Sequence, residues 1–137
     1  AVVAFGGVVK LVPAFEAVVG AMLNIPGPRI LGLAIATTVL AGICGSASGG
    51  VGIASPLLGP AFVNMGVPAG AVARTIAISS AALDSLPHNG YIVTVCNGLC
   101  NETHKDCYFP VFIMTVVVPF IGTLIAVALF TMFPNLP

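Results

Sequence analysis

The chain has 137 residues, the length of one ordinary domain. Four Lys or Arg and four Asp or Glu make up only 6% of it, while 58% is hydrophobic; soluble domains carry about 25% charged residues. So few charges cannot coat a small globule, disordered chains are poor in apolar residues, and nucleic-acid binding needs clustered Lys and Arg. What remains is a protein solvated by lipid.

Residues 30–73 and 107–137 contain no charged side chain. A membrane-spanning helix needs about 20 apolar residues, so the expectation is an all-α, polytopic membrane protein crossing three to five times. The N-terminus lacks the basic region and small-residue cleavage site of a secretory signal. The chain begins at Ala1 rather than Met, and we read it as the C-terminal piece of a longer chain. Gly (16) and Pro (11) together make about one residue in five. Broken helices at membrane depth are tolerated where the backbone is buried in protein or lines a watery cavity, so the positions of these breakers are informative.

Residues 1–23 hold Lys10 and Glu16 on either side of Pro13. Two ten-residue helices, each about 15 Å long, read as a re-entrant hairpin; a tilted span with Lys10 reaching the surface is the alternative. Asn24-Ile-Pro-Gly-Pro-Arg29 is a turn. Residues 30–65 read as a broken helix, since a continuous one would run about 54 Å. The break is Gly45-Ser-Ala-Ser-Gly-Gly-Val-Gly52, and Ser55-Pro56 is read as the restart, a Ser cap with Pro in the first turn. Two short spans joined by a Gly-rich loop, or a close-packing face of small residues, are the alternatives. Residues 70–99 read as a second broken helix, interrupted at Asp84-Ser-Leu-Pro-His-Asn-Gly90, where Pro87 lacks an N–H. Residues 101–108 form a charged interfacial segment that Asn101 is placed to cap, and residues 109–133 are the cleanest span, bent at Pro119.

Two polar, glycine-rich breaks thus stand in an otherwise lipid-like chain. A helix interruption frees N–H groups at one end, which favour anions, and C=O groups at the other, which favour cations. Transporters bind substrate and coupling ion near the midplane with this device. The first break offers Ser46 and Ser48 with the backbone of Gly49 and Gly50; the second offers Asp84, Ser85, His88 and Asn89. Asp84 and His88 are four apart, able to meet across one helical turn. Because His titrates near neutral pH, they read as a proton-coupling pair or as a structural hydrogen bond. Arg74 is the one cation of the apolar middle; it holds a substrate carboxylate, pairs with Asp84 or lies at the membrane edge. Cys96, Cys100, His104 and Cys107 fall on one helical face. One helix cannot wrap four tetrahedral ligands around a zinc ion, so apolar cysteine packing is preferred and no metal or other cofactor is expected. No nucleophile, base and orienter arrangement and no phosphate loop is present, so no enzyme is expected.

Leu83-Asp-Ser-Leu-Pro-His-Asn-Gly90, then Thr94, then Asn101-Glu-Thr-His-Lys-Asp106 resembles the C-terminal part of the gluconate permease family. Gly45-Ser-Ala-Ser-Gly-Gly-Val-Gly52 is similar to that family's Gly-Ser-Ala-rich break, and Gly6-Gly-Val-Val-Lys10 to its earlier glycine hairpin. The match covers most of the chain in order, and the Leu-Pro-His element is its specific part. The resemblance implies a secondary transporter of the ion-transporter superfamily, built from two inverted repeats, of which this chain would be the C-terminal one. It implies uptake of gluconate or a related hydroxy acid such as 3-hydroxybutyrate with protons. Ser-Ala-Ser-Gly-Gly in place of a threonine-richer run, and Asn89-Gly-Tyr after the His, are departures that bear on substrate choice.

The expected function is therefore proton symport of a small organic anion in the cell's inner membrane. Ser46, Ser48, Gly49, Gly50 and Asn89 would bind substrate, His88 and Asp84 would couple protons (or Na+), and Arg74 is a further anion contact. The expected partners are the anion, the coupling ion, lipid and the remainder of the permease. The rival reading is a small structural membrane subunit whose glycines serve helix packing.

Overall fold

The computed structural model describes residues 25–134, together with Ala17, Gly20 and Ala21. The hairpin expected over residues 1–23, with Lys10 and Glu16, lies outside the described residues. Among those described, all regular structure is helical: α1 (Arg29–Cys44), α2 (Ala47–Asn64), α3 (Ala69–Ser79), α4 (Gly90–Thr94), α5 (His104–Phe112) and α6 (Val118–Met132). Five-residue π-helical segments extend α4 (Val95–Leu99) and join α5 to α6 (Ile113–Val117).

Local chemistry sets the boundaries. Pro28 and Pro68, each with φ near −57°, lead into α1 and α3. Gly45 adopts the left-handed conformation (φ 57°) that ends α1, its N–H returning to the Ala41 and Gly42 carbonyls. An L-side chain is strained at that φ, so glycine suits the position. Ser46 follows immediately as the cap of α2, its Oγ accepting from the Gly49 N–H at 3.3 Å. The helix therefore restarts at Ala47, not at Ser55-Pro56, and Pro56 and Pro60 lie inside it. Thr103, not Asn101, caps α5 by accepting from the Asp106 N–H, while Asn101 takes a left-handed φ of 53°.

Residues 30–65 do not continue in one direction past their break. At Gly50 a Cβ would stand 2.6 Å from the Ala41 Cβ, and at Gly66 one would stand 3.6 Å from Arg29 Nη1. The two helices are therefore antiparallel, in close contact near the Gly45 tip and again at the Arg29 end. α3 leaves from that end, tied to α1 by the Thr38 hydroxyl donating to the Ser79 carbonyl at 2.9 Å. Its chain breaks over residues 80–89, where Leu83 and Leu86 cover Gly42, and resumes as α4. The joined helix from His104 to Met132 returns, so that Phe130 meets the Arg74 guanidinium at 5.5 Å and shares a hollow with Pro28 and Arg29.

The core lies between α1, α2, α3 and the far half of α6, with Leu33, Ala36, Leu40, Leu58, Ile76 and Phe130 among its buried members. On α1, Ile30, Leu33, Ala36 and Leu40 recur at three- and four-residue steps, which keeps them on one face. Small residues at the contacts bring the backbones close, the packing that holds helices together where lipid tails are as apolar as leucine. Much of the remaining apolar surface is outside: Ile121, Leu124 and Ile125 are at least half exposed.

One helix among the described residues, His104–Met132, is long and apolar enough to cross a membrane; Arg29–Cys44, Ala69–Ser79 and Gly90–Leu99 are shorter apolar helices. Residues 30–65, free of charge, fold back on themselves as two helices, Arg29–Cys44 and Ala47–Asn64. The long helix also carries its π-helical irregularity at Ile113–Val117, ahead of Pro119, which sits in the first turn of α6.

Candidate functional site

The two breaks meet. The Gly45 tip of the α1–α2 hairpin faces residues 84–91, and between them lies a cavity of about 480 Å³. It is lined by Gly45, Ser46, Ala47 and Ser48 from the first break and by Asp84, Asn89, Gly90 and Tyr91 from the second. Two helices start at this cavity, α2 and α4, so two sets of N-terminal N–H groups with their partial positive charge converge on it.

Each polar group has a defined place. Ser46 and Ser48 share a hydrogen bond, Oγ to Oγ at 3.0 Å. The Asp84 carboxylate accepts from the Ala47 N–H at 2.5 Å, so an acidic side chain sits on the positive end of α2. Asn89 is 8% exposed and caps α4, its Oδ1 accepting from the Tyr91 and Ile92 N–H groups at 2.8 and 3.3 Å. Its Nδ2 donates to the Asp84 carbonyl at 3.0 Å, which ties the cap to the break. Tyr108 of α5 donates its hydroxyl to the Ser85 carbonyl at 2.9 Å, anchoring the break to the long helix.

His88 lies at the other pole. Its Nε2 is 3.0 Å from the Gly42 carbonyl, one of the C-terminal carbonyls of α1 where the helix carries partial negative charge. Nε2 is the donor in that bond, because a carbonyl oxygen accepts. The break therefore lays its carboxylate on the N-terminus of one helix and its imidazole on the C-terminus of the preceding one. Each choice complements the local helix dipole.

Of the residues expected at the site, Ser46, Ser48, Asp84 and Asn89 line the cavity. Gly49 and Gly50 do not. Their N–H groups go to Ser46, to its Oγ and its carbonyl at 3.3 and 2.9 Å, and both glycines are buried. Gly50 instead supplies the close approach of α2 to Ala41. Asp84 and His88 are not across one turn from each other, since residues 80–87 are turns rather than helix. Arg74 is placed away from the cavity: its Nε donates to the Gly70 carbonyl at 3.0 Å, and its guanidinium lies over Phe130 at the Arg29 end. Ala47, whose N–H holds Asp84, and Tyr91, 77% exposed on the rim, were not singled out by sequence. Position after a Ser cap was the available signal for Ala47.

Away from the cavity, the Cys96 and Cys107 sulfurs stand 2.7 Å apart across the α4 extension and α5. No group of three His, Cys, Asp or Glu side chains among the described residues is arranged to hold a metal ion.

No protein-family model matches the chain, and no solved structure does. The chain is similar to a protein named "Uncharacterized transporter YxjC" of Bacillus subtilis (strain 168), at 32% identity over 117 residues. That alignment takes in 82% of this chain and 25% of the relative, so the chain spans about a quarter of the length of the curated protein it matches.

Proposed function

We propose that this chain is a membrane-embedded repeat of a secondary transporter that carries a small organic anion, gluconate or a related hydroxy acid such as 3-hydroxybutyrate, together with protons. The observation that carries the reading is the meeting of two helix N-termini, with Ser46 and Ser48, on one open polar cavity at the tip of the α1–α2 hairpin. The break on the cavity's far side is held by Tyr108, in the second turn of the long helix His104–Met132. A polar hollow served by helix ends is how transporters hold ionic solutes. The relative's name as a transporter supports the same reading, as does the exposed apolar face of α6, which lipid would cover. The cavity volume, about 480 Å³, lies within the range of small-molecule sites.

In this reading the hydroxyls of Ser46 and Ser48 and the start of α2 receive the carboxylate, and Asn89 faces the substrate's hydroxyls. Asp84 and His88 handle the coupling proton, in the inner membrane, and the remainder of the longer permease completes the pathway. The rival, a structural subunit, draws on Gly50, a packing residue by geometry; it leaves the polar cavity without a purpose.

Uptake of radiolabelled gluconate and 3-hydroxybutyrate by proteoliposomes of the full-length protein, with and without an inward proton gradient, tests the proposal. Gradient-driven accumulation is expected, together with its loss when Ser46 and Ser48 are both replaced by Ala. Absence of uptake across a panel of hydroxy acids in a well-folded preparation refutes it.

A further inference from the structure

The cavity read above as an anion site already holds a carboxyl group of its own. The Asp84 carboxylate, not a solute, takes the first N–H of α2, at Ala47, and Ser85 Oγ stands 3.5 Å from its other oxygen. A substrate carboxylate drawn to the same helix end meets both an occupied donor and a like charge. Two carboxylates sharing such a site do not both stay ionised. Resting on the transport reading, we propose that Asp84 is an internal stand-in for the substrate's carboxylate and that the two exchange places through a proton.

The step balances simply. A proton from the solution on the entry side binds an Asp84 carboxylate oxygen, leaving Asp84 a neutral carboxyl group that releases the Ala47 N–H. The substrate carboxylate then accepts from that N–H, with the Ser46 and Ser48 hydroxyls beside it. On the exit side the substrate leaves, the proton departs from Asp84 into solution, and the carboxylate returns to Ala47. One proton travels with one negative charge, so the cargo is electrically neutral. His88, its ring on the Gly42 carbonyl of α1, fastens the break that carries Asp84 to the hairpin.

Few titratable groups surround Asp84 among the described residues. His88 is on its own segment, Tyr91 is on the cavity rim, Cys44 ends α1 beside the tip, and Tyr108 comes from α5 onto Ser85. From α2 the neighbours are the uncharged Ser46, Ala47 and Ser48. Among the described residues no Lys or Arg lines the cavity.

The test is equilibrium binding of radiolabelled gluconate and 3-hydroxybutyrate to the full-length protein in lipid nanodiscs between pH 5.5 and 8. Thermal unfolding serves as the check on folding. With one proton taken up per anion, the wild-type dissociation constant is expected to rise about tenfold per pH unit. Asp84→Asn keeps the side chain's shape and its acceptor for Ala47, and is expected to abolish that slope and to end gradient-driven accumulation. Ala47→Pro is the second variant. Residue 47 opens α2, where proline is tolerated, and Ser46 already has the extended backbone (φ −164°, ψ 123°) that precedes proline. Removing the shared donor in this way should weaken binding about tenfold or more and flatten the slope together with it. A wild-type slope that survives in Asp84→Asn, or one lost in His88→Gln and kept in Asp84→Asn, overturns the proposal while leaving the transport reading in place. Binding of neither acid at any pH removes the transport reading itself, and this proposal with it.

Discussion

Gly50 offers the sharpest test of how the hairpin tip is built. Gly50→Ala would place a Cβ 2.6 Å from the Ala41 Cβ and 2.8 Å from the Ala41 Cα, where ordinary contact begins at 3.4 Å. The nearest atoms belong to a backbone and a methyl group that cannot rotate away, so α2 must back off from α1 by about 1 Å. Overpacking of this kind costs about 1–3 kcal/mol, offset by up to about 1 kcal/mol because alanine favours the helix over glycine. Residue 50 is one turn from Ala47 and hydrogen-bonds to Ser46, so the displacement reaches the Ala47–Asp84 bond and the cavity wall. The unfolding temperature should fall, and with it, on the transport reading proposed above, uptake of the hydroxy acid by the full-length protein. Gly52→Ala is the comparison: the added methyl meets nothing within 4 Å, and stability should hold or rise by up to about 1 kcal/mol. Equal unfolding temperatures for wild type and Gly50→Ala, or an equal loss in Gly52→Ala, would refute the close approach.

Two further outcomes follow from the geometry around the tip and the second break. Gly45→Ala forces an L-side chain to φ 57° and brings its Cβ to 3.1 Å from the His88 ring; a loss of about 1–2 kcal/mol is expected, read by thermal unfolding, and none if another residue takes up the turn. Mild oxidation with copper phenanthroline should join Cys96 to Cys107, whose sulfurs already touch, while the exposed Cys100 remains open to maleimide. Peptide mapping that finds Cys100 in the bond would show that α4 and α5 are not in register as described.

Composition made the helical, lipid-like character of the chain legible, and both breaks were legible from Gly, Ser and Pro. What the breaks do was only half visible. Ser46 was singled out for its hydroxyl, yet the structure uses it first as a cap, and the Ser55-Pro56 signal failed because α2 absorbs Pro56 and Pro60 within itself. Asp84 and His88 were paired by a four-residue spacing that presumes a helix. The helix had already ended at Ser79, and their real partners, Ala47 and Gly42, lie 37 and 46 residues away. For Arg74 a substrate contact, a partner for Asp84 and a place at the membrane edge were all legible, and the structure lays it over Phe130, far along the chain. Spacing rules see one element at a time, whereas this cavity is assembled from the ends of three.

The fold-back of α1 on α2 also has a topological result. The hairpin begins and ends beside Arg29, the path through α3 and α4 climbs once, and the long helix descends once. Pro28, Arg29 and Pro134 accordingly border the same hollow. Pro28 and Pro134, more than a hundred positions apart, thus stand side by side at one end of the described bundle.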